Sequence, residues 1–374
     1  MGRRVVVNQI SNQIRSLRIA RDMTQSELAK LSGLSRQAIN AIEANRYIPN
    51  ALVAIQLAKA LGSRVEDIFQ CQEDLPECDV TMIGGVNTKG KRVAVARVRN
   101  RLVGHELSGF RDFQDGFSHA DGVLIHPKGK VQLLTPSGKL EKTGLILGCD
   151  PSLGILCDHI SRHSPEVRVH WLQYCSQNAL DEVKAGNGHI AGCHFLGDLN
   201  RVKARQAIAS TGGLLVSYAS WEQGFVVASG NPKGIRGIEE IGRPDVRFIN
   251  REKGSGSRLL IDRLLGEAGI PNHLVSGYDR AVNSHLAVGR QVMDGGADAG
   301  ISLRAVAEAL ELDFIPLTQV HFDLVIPRDF LDHPAISMLL DLLQTRAFRM
   351  ELAALPGYDI TNTGKILEEI PDAA

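Results

Sequence analysis

Ser35, Arg36, Gln37 and Asn40 fall within six consecutive positions, and each carries groups able to hydrogen-bond to base edges. Arginine can bridge the two major-groove acceptors of guanine, and glutamine or asparagine can do the same on adenine. Ala38, Ile39 and Ile42 have the spacing of an apolar helix face in the same stretch, which turns the polar set outward. Arg46 and Tyr47 follow, suited to phosphate oxygens, contacts that position a protein without reading sequence.

A second group lies far downstream. Asp150-Pro151-Ser152, Ser176-Gln177 and Gly254-Ser255-Gly256-Ser257-Arg258 each lead into an apolar helical pattern. The start of a helix offers unpaired N–H groups and positive dipole to an anion. Ser152, Ser176, Ser255 and Ser257 add neutral donors there, and Arg258 adds a charge, although serine before a helix is also an ordinary N-cap. The glycine-serine loop lacks the Lys-Ser/Thr ending of a phosphate-binding P-loop. His194 and His285 stand near other predicted strand ends. So do Cys149, Cys175 and Cys193, either as small buried hydrophobes or as a soft-metal or thiol sensor beside His194.

The first group needs short helices to hold it, and residues 8–69 read as a run of them. Ile10, Ile14, Leu17 and Ile19 form an imperfect stripe. Thr24 with Glu27 three positions on has the spacing of a capping box, and Gly33 ends that helix. Ser35 caps the next, 36–44. After Pro49-Asn50, Leu52, Ile55, Leu57, Ala58 and Leu61 supply a fourth, and 65–69 a last short turn. Two short helices joined by a tight glycine turn form a helix-turn-helix layout. The stretch from Thr24 to Glu43 resembles the DNA-binding domain of the Cro/C1 (XRE) repressor class, over some 60 residues. The resemblance implies that 36–44 is a recognition helix for double-stranded DNA and that Gln25 braces the DNA backbone. A homodimer on a pseudo-palindromic operator is expected, since one such helix covers a single half-site.

Residues 72–143 read as a small β-rich connector, with Val93, Val95 and Val98 in one β-branched run. From 144 onward strands alternate with helices: strands at 145–148, 167–171, 190–194, 246–250 and 297–301, and a closing helix over 333–355. Gly148-Cys149-Asp150-Pro151-Ser152, Ala191-Gly192-Cys193-His194, Gln223-Gly224-Phe225 and Asn250-Arg251 with the loop to Arg258 carry a further resemblance, to the molybdate-binding-like subgroup of the periplasmic-binding-protein fold. It implies a ligand held between two lobes and adds Gln223 and Arg251 to the candidate ligand-binding set. The expected architecture is multidomain: an all-α helix-turn-helix head over 1–71, the connector over 72–143, and a two-lobed α/β body over 144–374.

Lys plus Arg and Asp plus Glu number 42 each, yet residues 1–70 hold ten basic and five acidic side chains. A basic head on an acidic body suits a polyanionic partner for the head. The start has too short an apolar run for a signal peptide, and the apolar stretch 144–157 is broken by Asp150 and Pro151. A cytoplasmic protein without membrane association is expected, with no cofactor, no metal and no catalytic residue, since no nucleophile–base pairing or metal-ligand spacing stands out. Three functions follow. The first is a one-component transcriptional regulator sensing a small anion, such as molybdate or tungstate. The others are an enzyme or accessory protein of molybdenum cofactor metabolism, and a DNA-binding protein whose body only dimerises.

Overall fold

The computed structural model describes residues 9–72, 75–84, 88–107 and 119–372. The chain falls into two units, Met1–Pro76 and Glu77–Ala374. The first contains β1 (Gln9–Asn12), α1 (Ile14–Ile19), α2 (Gln25–Ser32), α3 (Arg36–Glu43), α4 (Ala51–Ala60), α5 (Val65–Ile68) and β2 (Phe69–Gln72). The capping box is formed: the Glu27 amide donates to Thr24 Oγ1 at 3.2 Å, and the Thr24 amide to Glu27 Oε2 at 2.7 Å. Gly33 takes φ 68°, the left-handed conformation that lets the chain turn sharply into α3. Ile14, Leu28, Ile39, Ile42, Leu57 and Leu61 meet in the core.

Two expectations are corrected here. Ile10 belongs to β1, whose backbone pairs with β2 antiparallel, and not to the first helix. Leu52 and Ile55 are 65% and 46% exposed, because Ala54, Leu57, Ala58 and Leu61 set the inward face at helical spacing.

In the second unit, β3 (Glu77–Asp79), β4 (Thr81–Ile83), β5 (Arg92–Val98), β6 (Arg101–Glu106), β7 (Gly122–His126) and β8 (Lys130–Leu133) form a sheet in the order β3-β8-β7-β5-β6-β4. Alternation along β5 gives it two apolar faces. Val93 and Val95 pack with Leu124, Val131 and Leu133, whereas Ala94, Ala96 and Val98 join the core of the α/β body.

The body is built on a larger sheet. Its strands are β9 (Thr143–Gly148), β10 (Arg168–Gln173), β11 (Ile190–Cys193), β12 (Gly213–Val227), β13 (Phe248–Arg251), β14 (Ala281–Val282), β15 (Ala299–Leu303), β16 (Asp313–Pro327), β17 (Tyr358–Asp359) and β18 (Ile366–Ile370). They are ordered β10-β9-β11-β16-β12-β15-β13-β14, with β17 and β18 also on β12. The strands β12 and β16 have 15 residues each and pair from Gly213↔Pro327 to Val227↔Asp313. This ribbon serves two lobes. β9, β10 and β11 lie at one end, around Leu145, Leu147, Leu156 and Leu180. At the other end β13 and β15 surround Phe225, Phe248, Leu260 and Ile301. The body is therefore the two-lobed α/β structure expected. The closing segment is two helices rather than one, Pro334–Leu342 and Arg346–Ala353, because Thr345 restarts the helix by accepting the Phe348 amide.

A buried histidine ties the smaller sheet to the body. His189 Nδ1 accepts the Leu145 amide at 3.0 Å, so Nε2 carries the proton and donates to the Arg97 carbonyl at 3.1 Å. Burial, reinforced by His333, pushes its pKa down to about 3. The folded protein keeps this ring neutral while the unfolded chain protonates near pH 6.5, so stability is lost as pH falls through that value toward 3. Between pH 7 and pH 5 the loss from this ring is expected to reach about 2 kcal/mol. Urea denaturation at the two pH values checks it, and His189→Gln should remove that share of the slope. An unchanged slope would discount the ring.

Candidate functional site

On the head, α3 presents Arg36, Gln37 and Asn40 to solvent, with Arg46 and Tyr47 exposed just beyond it. Ser35 is exposed too, but its Oγ accepts the Ala38 amide at 3.1 Å and so starts the helix. Glu43, on the flank of that exposed set, fixes α3 in place. It receives Arg18 Nε at 2.7 Å and Gln25 Nε2 at 2.8 Å. Burial raises the Glu43 pKa, but these two donors outweigh it and hold the carboxyl below its usual value. Gln25 is thus drawn inward as a tie between α2 and α3.

In the body, the predicted loops converge where the lobes meet. The rings of His194 and Trp221 are 5.3 Å apart, those of His194 and His285 5.6 Å, and those of Trp221 and His285 6.2 Å. Cys149 Sγ lies within 4.8 Å of a ring nitrogen of each histidine. Arg251 is 1% exposed, and its positive charge acts on Cys149, His194 and His285. Glu252 takes its Nε at 3.0 Å and its Nη2 at 3.2 Å. Gln223 enters from β12 and donates Nε2 to Ser257 Oγ at 2.7 Å.

This cluster is short of partners. His194 Nε2, Trp221 Nε1, Gln223 Oε1, Arg251 Nη1 and both ring nitrogens of His285 are buried without a hydrogen-bond partner among the described residues. Each such atom costs about 1–3 kcal/mol, and buried polar groups in folded proteins are nearly always paired. Burial, then Arg251, pushes His194 down to about 3, and burial with Arg251 and His194 holds His285 well below its usual value. Both rings are therefore neutral at neutral pH. The lobes close over the cluster through the Gln177 amide to the Gly254 carbonyl at 3.2 Å and Gln173 Nε2 to the Asn283 carbonyl at 3.4 Å.

Other predicted residues are occupied elsewhere. Arg258 pairs with Asp262 at 3.0 Å and stacks over Tyr278 at 4.2 Å. Ser255 is an N-cap, accepting the Arg258 amide at 3.2 Å. Gln177 Nε2 turns to Asp181 on its own helix. Ser176 Oγ holds the backbone of His194, receiving its amide at 3.1 Å. Asp150 Oδ1 accepts Ser152 Oγ at 2.8 Å and Tyr358 Oη at 2.6 Å, and burial pushes its pKa up to about 6 against these bonds. These two residues brace the loop that carries Cys149. Of the three cysteines only Cys149 joins the histidines; Cys175 Sγ lies 3.8 Å from the Lys253 carbonyl. Trp221 escaped the sequence reading. Its one signal is an indole N–H in a long apolar strand, where a buried donor needs a partner.

A family model described as a PBP superfamily domain matches residues 157–344, and one described as a helix-turn-helix matches residues 14–68. The uncharacterized protein YvgK of Bacillus subtilis is 32% identical over 244 residues, covering 64% of this chain and 78% of YvgK. An uncharacterized HTH-type transcriptional regulator of Methanocaldococcus jannaschii is 40% identical over 65 residues, 17% of this chain and 98% of its own length. The solved structure of the sulfate-binding protein SubI from Mycobacterium tuberculosis aligns with a TM-score of 0.46 and 17% identity, over 58% of this chain and 86% of that one.

Proposed function

Because the chain belongs to the PBP superfamily domain family and carries a helix-turn-helix head, we propose that it is a ligand-responsive transcriptional regulator that senses a small oxyanion. The carrying observation is the set of buried, unpartnered polar atoms at the lobe junction, with Trp221, Arg251, His194 and His285 as its donors. A tetrahedral anion such as molybdate or tungstate offers acceptors on every side and suits them. Arg36, Gln37 and Asn40 read bases, while Arg46 and Tyr47 hold phosphates, in a cytoplasmic homodimer on a pseudo-palindromic operator. The body binds rather than transforms its ligand. Regulation requires the anion to bind the closed lobes more tightly than the open ones, hinge closure being a common response to ligand.

The test is the melting temperature of the full chain in chelator-treated buffer with molybdate, tungstate, sulfate or phosphate. Anion at a hundred times its Kd should add about 2.7 kcal/mol of stability. Operator affinity is then compared with and without the active anion. Silence toward all four would sink the oxyanion assignment, and unchanged operator affinity would sink regulation by it.

A further inference from the structure

Cys149 Sγ and one ring nitrogen each of His194 and His285 all lie within 4.8 Å of one another, and none of the three residues is more than 1% exposed. His194 Nε2 and both nitrogens of His285 have no hydrogen-bond partner among the described residues. One thiol and two neutral imidazoles form a donor set that zinc(II) and copper(I) favour. With zinc–sulfur near 2.3 Å and zinc–nitrogen near 2.0–2.1 Å, tetrahedral donors sit about 3.5 Å apart. Shifts of about 1 Å in these side chains would close the difference. We propose that Cys149, His194 and His285 bind one thiophilic d10 cation, zinc(II) or copper(I), within the ligand cavity.

Three features support this, and the proposal rests on reading the lobe junction as the ligand site. Cys149 and His194 follow β9 and β11 of the first lobe, whereas His285 opens the helix His285–Met293 after β14 of the second. A cation on all three therefore bridges the lobes, which is what a closing ligand must do. As the sulfur–metal bond forms, the Cys149 thiol proton leaves to solvent and the resulting thiolate offsets one positive charge. Arg251 is compatible, because Glu252 already pairs with its Nε and Nη2. Its Nη1 is left without a partner among the described residues, so an anion can reach it whether or not the cation is present.

Cobalt(II) is the spectroscopic probe, and zinc(II) and copper(I) are the competitors, all on the tag-free full chain. One cobalt per chain is expected, with a thiolate-to-cobalt charge-transfer band that zinc displaces. Cys149→Ser should abolish the band and His285→Gln should weaken zinc binding by more than about 100-fold, the upper end of the cost of losing an outer-shell partner. Cys175→Ser and Cys193→Ser should retain both. Each variant is compared with the parent by circular dichroism, and if one misfolds the other carries the test. No stoichiometric binding of any of the three ions, or a band that survives Cys149→Ser, overturns the proposal. The chelator-treated anion assay is independent: an anion response without metal binding refutes the cation alone, and metal binding without an anion response refutes the oxyanion alone.

Discussion

Gly256→Ala is expected to abolish the ligand response while leaving both lobes folded. A β-carbon at this position would stand 2.3 Å from the His194 carbonyl oxygen and 2.6 Å from its Nδ1. The carbonyl oxygen cannot retreat easily, since the Ser176 hydroxyl pins the His194 backbone from behind. Gly256 is the first residue of the helix Gly256–Glu267, where alanine is no worse a helix former than glycine. The clash is therefore borne by the meeting of the lobes and not by either one alone. Separation by about an ångström would disperse the cluster, and tight binding depends on such placement. The ligand-induced melting shift should vanish, and small-angle scattering should report a larger radius of gyration. Gly266→Ala is the control, because its β-carbon would meet nothing within 4 Å. A Gly256→Ala protein with the parental response would show that the lobes need not meet here.

The second large effect falls on the head. Arg36→Ala and Asn40→Ala should each remove about 1–3 kcal/mol per bidentate base contact, and twice that where two heads bind two half-sites. Both side chains are exposed and outside the core of the head, so its melting should not change. Arg46→Ala should instead weaken operator and unrelated DNA alike and lower the salt slope by roughly one. Competition binding at several salt concentrations separates the two kinds of loss. Full operator discrimination by Arg36→Ala would refute the assignment of α3.

The head was legible because its signals act over a few residues. Thr24 and Glu27, Gly33 and Ser35 cap or stop helices by bonding to near neighbours, and the sequence states those neighbours directly. Ile10 was misplaced because its strand is made by a partner some sixty residues away, which no local period reveals. The same limit applies to the cavity. Strand ends were located well enough to single out Cys149, His194 and His285, and the resemblance added Arg251. Whether a polar side chain faces the cluster or a neighbour depends on tertiary contacts, and so Asp262 and Tyr278 claim Arg258. Trp221 was missed for a related reason, and Gln223 was reached only through the resemblance. They lie in the middle of β12, where nothing in the sequence marks the crossing from one lobe to the other.

That crossing has a mechanical meaning. Opposite β16, the flank of β12 is taken by β18 over Gly213–Val216, by β17 at Ser220 and Trp221, and by β15 from Gln223 onward. The ladder with β16 slips register between Ser217 and Ala219 and again between Gln223 and Gly224. The ribbon is thus clamped at both ends by different parts of the chain and changes clamp beside Trp221 and Gln223. It has the form of a flexure, a long continuous ladder interrupted at two places near its middle. Trp221 and Gln223 sit where the clamp changes, so whatever binds there touches the ribbon as it passes from one lobe to the other. If the lobes turn about this crossing, a small displacement there would be carried to a larger one at their far ends.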